Sequence, residues 1–170
     1  DHAMEMALPV PVLVILGSSL AESMSIDSPD CAFLCNEIPR LRNAVYQEIG
    51  IRVPGIRVRK SSDMAEGVNF EVQIMDLPVF QGQLPESSGF TPGQDERIKL
   101  LVSDVSFVDR GFPCRGTLIP ENSIEKVSQA GYPVYYQSSL LAMFLRKLII
   151  KNAHEFLGLQ EVKWMCDELE

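Results

Sequence analysis

The sequence has 170 residues, of which 46% are hydrophobic and 22% charged, a balance typical of a soluble globular protein. Its formal net charge of −8 at pH 7 argues against a nucleic-acid groove, which needs a cationic surface to displace phosphate counterions. The longest apolar stretch, residues 8–16, is broken by two prolines and is far shorter than the roughly 20 residues that span a bilayer.

The first third of the chain predicts one strand and one long helix. Residues 12–16 form a continuous apolar run, which indicates a buried strand. Over residues 31–49 apolar side chains recur every three or four positions, which predicts a helix with Asp30 as its N-cap and Gly50 at its end. Pro39 lies inside this pattern, so a kink or a break into two helices is expected just before it.

The middle of the chain predicts strands and an exposed loop. Residues 56–59, 68–75 and 78–83 alternate between apolar and polar side chains, as half-buried strands do. Residues 85–94 are rich in Pro, Gly and Ser, which predicts an exposed loop. Residues 98–108 resume the alternation, which predicts a further strand.

The last third predicts mainly helices. Residues 122–130 form a short helical pattern and residues 134–136 a brief strand, followed by a helix over residues 138–149 with a broad apolar stripe. Gly158 interrupts the pattern, and residues 159–169 predict another helix. Its packing partners are expected to lie outside the chain, so we expect it to fray or to pack against another copy.

This order of elements predicts an α+β fold. An α/β unit comes first, a small β-rich piece is inserted into it, and the beginning of a helical segment follows. No internal repeat or low-complexity tract interrupts this order.

The four cysteines predict neither a disulfide framework nor a metal site. Cys31 and Cys35 lie four residues apart and are expected on a buried helix face, whereas Cys114 and Cys166 are remote from both. The sequence has no Cys-x-x-Cys pair and no Cys/His cluster, so neither a metal nor a cofactor is predicted. A cysteine-dependent enzyme is the rival function, but it would need His154, which lies at a predicted helix end.

Three stretches resemble the cytoplasmic region of the export-gate (FHIPEP) family, which flagella and virulence type III secretion systems share. Residues 37–59 read EIPRLRNAVYQEIGIRVPGIRVR, and residues 108–120 read VDRGFPCRGTLIP. Residues 131–170, from GYPVYY to KWMCDELE, are similar to the family's passage into its helical subdomain. The family's Trp-Ile pair stands here as Leu118-Ile119, and its Thr-His pair as Met143-Phe144.

The resemblance implies a division of the chain into subdomains. Residues 1–7 are assigned to a tag or linker. A first α/β subdomain is expected from two segments, residues 8–78 and 117–136, with a β-rich subdomain inserted at residues 79–116. Residues 137–170 would then begin a truncated helical third subdomain.

The resemblance also implies a function in protein export. Family members have a membrane-spanning N-terminal half in the bacterial inner membrane, and their cytoplasmic half forms a ring, typically of nine copies. That ring receives chaperone–substrate complexes and gatekeeper proteins and works beside a separate ATPase complex. The chain is therefore expected to be a non-enzymatic docking platform on the cytoplasmic side. A ring scaffold without direct cargo contact is the alternative.

The resemblance assigns the docking site to three residues. Asp109 and Phe112 match the Asp and Phe that line the family's chaperone cleft, and Met143 stands where a Thr usually joins them. An apolar anchor beside a carboxylate suits a docking groove. The competing interpretation is that Phe112 is part of the core and Asp109 is a turn residue ahead of Gly111.

Four arginines are candidates for contacts between copies in a ring: Arg40, Arg42, Arg57 and Arg59. Exposed ion pairs are usually worth less than about 1 kcal/mol, so a solvated surface is the alternative for each of them.

Overall fold

A computed structural model of the chain describes residues 9–157 and has the expected α+β architecture, with seven strands in two sheets within that range. The strands are β1 Val12–Gly17, β2 Ile56–Ser61, β3 Phe70–Ile74, β4 Leu77–Gly82, β5 Ser88–Pro92, β6 Ser106–Val108 and β7 Gly116–Pro120. The α-helices are α1 Ser18–Ser23, α2 Ile38–Ile49, α3 Ile98–Leu101, α4 Ile124–Gln129 and α5 Ser138–Lys151. A π-helical turn, Phe33–Glu37, precedes α2, and a 3₁₀ turn, Glu121–Ser123, precedes α4.

The first sheet has the strand order β2-β1-β3-β4. β1 pairs parallel with β2, because the chain returns through α1 and α2, whereas β3 and β4 are antiparallel neighbours joined by a tight turn. One face of this sheet, which includes Val14 of β1 and Val72 of β3, packs into the main core together with α2 and α5. The sequence therefore predicted the four strands of this sheet correctly, β1 from its apolar run and the others from alternation.

The second sheet has the order β5-β7-β6 and is antiparallel throughout. Phe90 of β5 and Leu118 of β7 are paired and face the main core. Ile119 points to the other side, into a smaller core with Val102 and Val127. The division into subdomains stays a prediction; the chain passes from the first sheet to the second between Gly82 and Ser88.

The helix does not break before Pro39 but changes there from a π-helical turn to α2, and this turn corrects the prediction for Cys35. The chain changes from the π-helical turn to α2 between Glu37 and Ile38. Because a π-helix bonds residue i to i+5, Phe33 and Ile38 share the buried face, and Cys35 is exposed while Cys31 is buried. Gly50 ends α2 with a positive φ, as predicted.

Asp30 was expected to be a helix N-cap, but it does not cap a helix. Its own backbone N–H donates to Ser28 Oγ at 3.3 Å, and the residue before the π-helical turn is Ala32, without a side-chain cap.

Two predictions in the middle of the chain were wrong. Residues 85–94 are not an exposed loop, because β5 lies within them and Phe90 is fully buried. Residues 98–108 are not one strand: they contain α3 and the short β6. Just before α3, Asp95 accepts hydrogen bonds from the guanidinium and the backbone N–H of Arg97, which hold the pKa of that carboxyl well below its usual range.

The strand expected at residues 134–136 is reduced to one bridge. Tyr135 and Phe90 exchange both backbone hydrogen bonds, at 2.7 and 2.8 Å, and Gln137 then leaves the extended conformation with a φ of 43°. The helix predicted over residues 159–169 lies outside the described residues. Within residues 9–157, no helix is both long and apolar enough to cross a bilayer.

Candidate docking groove

A groove of about 580 Å³ lies where the two sheets meet. The end of β4 and the segment that crosses to the second sheet form one wall, and the loop before β7 forms the other. Apolar side chains dominate the lining, namely Phe80, Leu84, Phe112 and Leu118. Gln81, Gln83 and Glu86 add polar groups. Ligand-binding pockets in proteins commonly combine an apolar lining with a few polar groups.

Phe112 lies in this groove with part of its ring in the core. Its ring stacks on Phe90 with centroids 5.0 Å apart and planes inclined by 4°, and its centroid is 6.0 Å from that of Phe144 on α5. The side chain is half-buried and lines the groove as well. Phe112 therefore combines the two roles that the sequence left open, a core contact and an accessible apolar surface.

Five phenylalanines form one connected aromatic cluster beneath the groove. Phe144 contacts Phe70 and Phe80 with centroid distances of 5.1 and 5.5 Å, and Phe70 contacts Phe80 at 5.6 Å. Phe90 and Phe112 complete the cluster from the second sheet and its loop. Such ring pairs contribute about 0.5–1.5 kcal/mol each beyond their buried area.

Gly116 at the start of β7 makes room for this cluster. A Cβ on Gly116 would lie 2.3 Å from ring atoms of Phe90 and 2.7 Å from the carbonyl oxygen of Thr91. Real Cβ atoms do not approach other atoms so closely, so only glycine fits here without moving the Phe90 ring or the backbone.

Asp109 belongs to an exposed polar cluster at the base of the 109–115 loop and does not line the groove. Its Oδ1 accepts hydrogen bonds from Arg115 Nε at 2.9 Å and from Gln94 Nε2 at 2.8 Å. The Arg115 guanidinium, followed by the Gln94 amide, lowers the pKa of this carboxyl. Asp109 thus ties the ends of the loop that carries Phe112.

Met143 lines a different and smaller groove, of about 230 Å³, between α2 and α5. Leu41, Ala44 and Tyr135 line the same groove. The structure brings Phe112 close to the neighbouring Phe144 and leaves Met143 apart. The docking roles of Asp109, Phe112 and Met143 all stay predictions.

A buried glutamine that the sequence analysis did not single out fixes the wall of the groove. Gln137 Nε2 lies 2.7 Å from both Ser23 Oγ and the carbonyl oxygen of Glu86. The Tyr136 hydroxyl oxygen lies 3.1 Å from the same carbonyl oxygen, and burial, followed by the hydrogen bond that it donates to Glu121, raises the pKa of that hydroxyl. The crossing segment is therefore held to α1 and to the start of α5. No motif in the sequence signals this role.

Residues 9–157 contain no group of three or more His, Cys, Asp or Glu side chains that could hold a metal ion. His154 Nε2 lies 3.0 Å from Glu155 Oε1, and Cys35 Sγ lies 3.0 Å from the carbonyl oxygen of Pro29.

Comparison with known proteins gives a match along almost the whole chain. The model of the FHIPEP family matches residues 2–170. The low calcium response locus protein D of Yersinia pestis is 23% identical over 172 residues, which cover 96% of this chain and 23% of that protein. The chain thus spans about a quarter of the length of this relative.

Two solved structures share the fold. In the complex of the Chlamydia pneumoniae proteins CdsV and CdsO, the matched chain is 26% identical, with a TM-score of 0.76 over 96% of this chain and 51% of that one. Nonameric SctV-C from EPEC is 21% identical, with a TM-score of 0.62 over 96% of this chain and 46% of that one.

Replacing Gly116 tests how tightly the aromatic cluster is packed. Gly116→Ala should lower the free energy of unfolding by about 1–3 kcal/mol, because the added methyl group displaces the Phe90 ring and its stacked partner Phe112. Urea denaturation measures this change. Gly55→Ala is the matched control, since no atom lies within 4 Å of its added Cβ. Equal stability of the two variants would contradict the packing described.

The bond between Asp109 and Arg115 predicts a shifted titration. The pKa of the Asp109 carboxyl should lie below the ordinary 3.8, and Arg115→Gln should raise it towards that value, because the cationic donor is lost. The stabilising effect of this contact is therefore present above about pH 4 and is lost as pH falls through the lowered pKa. Carbon-13 NMR titration of the Asp109 carboxyl carbon measures this pKa in the unaltered chain and in the variant.

Arg110→Gln is the control for that titration, because Arg110 is exposed on the same loop and its guanidinium is not the one that bonds Asp109. If Arg115→Gln and Arg110→Gln change the Asp109 pKa equally, the pKa is set by the net positive charge of the loop and not by the specific bond to Arg115.

Proposed function

The chain belongs to the FHIPEP family of export-gate proteins, which serve type III secretion and flagellar export, and we propose that it docks chaperone–substrate complexes in the groove between its two sheets. The observation that carries the proposal is an open apolar groove built around a half-buried aromatic anchor, Phe112. The site acts by binding and involves no chemical step, in keeping with a family whose members are components of the export gate.

The shape and lining of the groove favour an apolar protein segment as its occupant. The half-buried side chains of Phe80, Phe112 and Leu118 offer it apolar surface, and the stack on Phe90 holds the Phe112 ring in place before binding. A rigid anchor loses little conformational freedom on binding, so more of the contact energy becomes affinity. The rim, with Gln81, Gln83 and Glu86, then supplies hydrogen bonds that orient the segment.

The wider partners of the chain are proposed from its relatives. SctV-C from EPEC is a nonamer, which supports self-association of the full-length protein into a ring. CdsV was solved in complex with CdsO, which supports contacts with components of the secretion ATPase complex. Gatekeeper proteins complete the proposed set. The docking platform would face the cytoplasm beneath an inner-membrane half of the protein.

A ring scaffold without cargo contact is the second candidate function. It is favoured by the packing of Phe112 against Phe90 and Phe144, which gives this residue a structural role regardless of any partner. The two candidates differ in whether the exposed side of the groove is used.

Two variants separate docking from stability. Phe112→Ala should weaken the binding of an export chaperone with its cargo at least tenfold, because the central anchor is lost, and should also destabilise the fold by about 2 kcal/mol, since its ring packs in the core. Gln83→Trp should weaken binding to a similar extent by filling the groove, with little change in stability, because Gln83 is exposed on the rim. Calorimetric titration measures both affinities.

The matched control is Gln47→Trp, which adds the same bulk to an exposed position of α2 outside this groove. It should bind as the unaltered chain does. If the Gln83→Trp variant is folded and binds the chaperone–cargo complex with unchanged affinity, the groove is not the docking site. The scaffold function is then the better account.

A further inference from the structure

The outer edge of β2 is open to another strand. β2 pairs with β1 in parallel register along its entire length, Ile56–Ser61, and lies at the edge of the first sheet. Among residues 9–157, no backbone hydrogen bond links β2 to anything besides β1. The row of backbone donors and acceptors on its outer side therefore lacks a protein partner in the described part of the chain.

The opposite edge of the same sheet is less suited to pairing. The register of β4 shifts between Val72 and Gln73 of its neighbour, and β4 contains Pro78, which has no N–H to donate. Natural proteins protect an edge with such features. β2 has neither a bulge nor a proline, so it is the regular edge of the sheet.

Two arginines on this edge have no partner among the residues that the structure describes. Arg57 and Arg59 are exposed and alternate along β2, so their side chains emerge on one face of the sheet. Neither forms an ion pair or hydrogen bond with any residue in the range 9–157, whereas Lys60 pairs with Asp27. Arg42, another candidate for a contact between copies, donates to the carbonyl oxygen of Val53 at 2.8 and 3.1 Å.

The charge and spacing of these arginines define what would bind. Alternate residues of a strand are about 6.6 Å apart, and an added strand has the same repeat, so carboxylates at every second position would meet Arg57 and Arg59. On the other face, Ile56 and Val58 are half-buried at the margin of the main core. β-branched apolar residues at the intervening positions of an added strand would cover them.

We propose that the edge of β2 binds, by strand addition, an extended segment of another protein in which carboxylates alternate with β-branched apolar residues. This surface is separate from the groove: β2 and β4 lie at opposite edges of a four-stranded sheet, three strand spacings or roughly 14 Å apart. Main-chain pairing provides the affinity in this type of recognition, and the alternate side chains provide the specificity.

A designed peptide tests the proposal. The blocked peptide Thr-Glu-Val-Glu-Val-Thr is titrated into the nitrogen-15-labelled chain, and a peptide with Lys in place of Glu serves as the charge-reversed comparison. The acidic peptide should shift the amide signals of β2 and protect them from hydrogen exchange, and the basic peptide should not. Arg57→Glu and Arg59→Glu should each weaken binding about fivefold, the upper range for one exposed ion pair.

Arg110→Glu is the matched control, with the same change of charge at an exposed position on another loop, and it should leave the affinity unchanged. Equal weakening by Arg110→Glu, or shifts located away from β2, would overturn the proposal. It would also be overturned if the Arg57 and Arg59 variants bound the peptide normally but self-associated, because the arginines would then only protect the edge. No chaperone or cargo takes part, so a negative result leaves the groove proposal standing.

Discussion

The aromatic cluster in which Phe112 lies between Phe90 and Phe144 joins the two sheets and sets the geometry of the candidate site. Phe90 is fully buried in the second sheet, and the Phe112 ring lies parallel to it at 5.0 Å. Phe144 extends this stack to the first sheet through Phe70 and Phe80. The groove exists because the outermost ring of the cluster, Phe112, keeps one side in the core while the other lines an open surface.

The surroundings of the stack hold it in place from two directions. Asp109 and Arg115 close the loop that carries Phe112, and Gln137 fastens the crossing segment that forms the opposite wall. In both sets of contacts, one polar group has several hydrogen-bond partners. Several bonds restrict the motion of a segment more than a single bond does. A groove with walls fixed in this way is preorganised, so a partner would bind without first ordering it.

The sequence predicted those parts of the fold that depend on regular apolar periodicity. In the first sheet, β1 follows from a continuous apolar run and the other strands from alternation, and α2 and α5 follow from repeats of three to four residues. β5 was missed because glycine, serine and proline usually indicate loops, although here Gly89 is required by close packing against Val134. Family resemblance led to Phe112, but Phe90 and Gln137 gave no local signal, because their roles depend on contacts between segments distant in the chain.

Hydrogen exchange of the chain with and without a chaperone–cargo complex tests the central claim most directly. Docking in the groove predicts slower exchange in residues 80–86 and 111–118, which form its two walls, with no change around the smaller groove between α2 and α5. Two results would contradict the account and place docking elsewhere on the protein. In one, exchange slows only in α2 and α5; in the other, the complex binds but exchange slows in neither region.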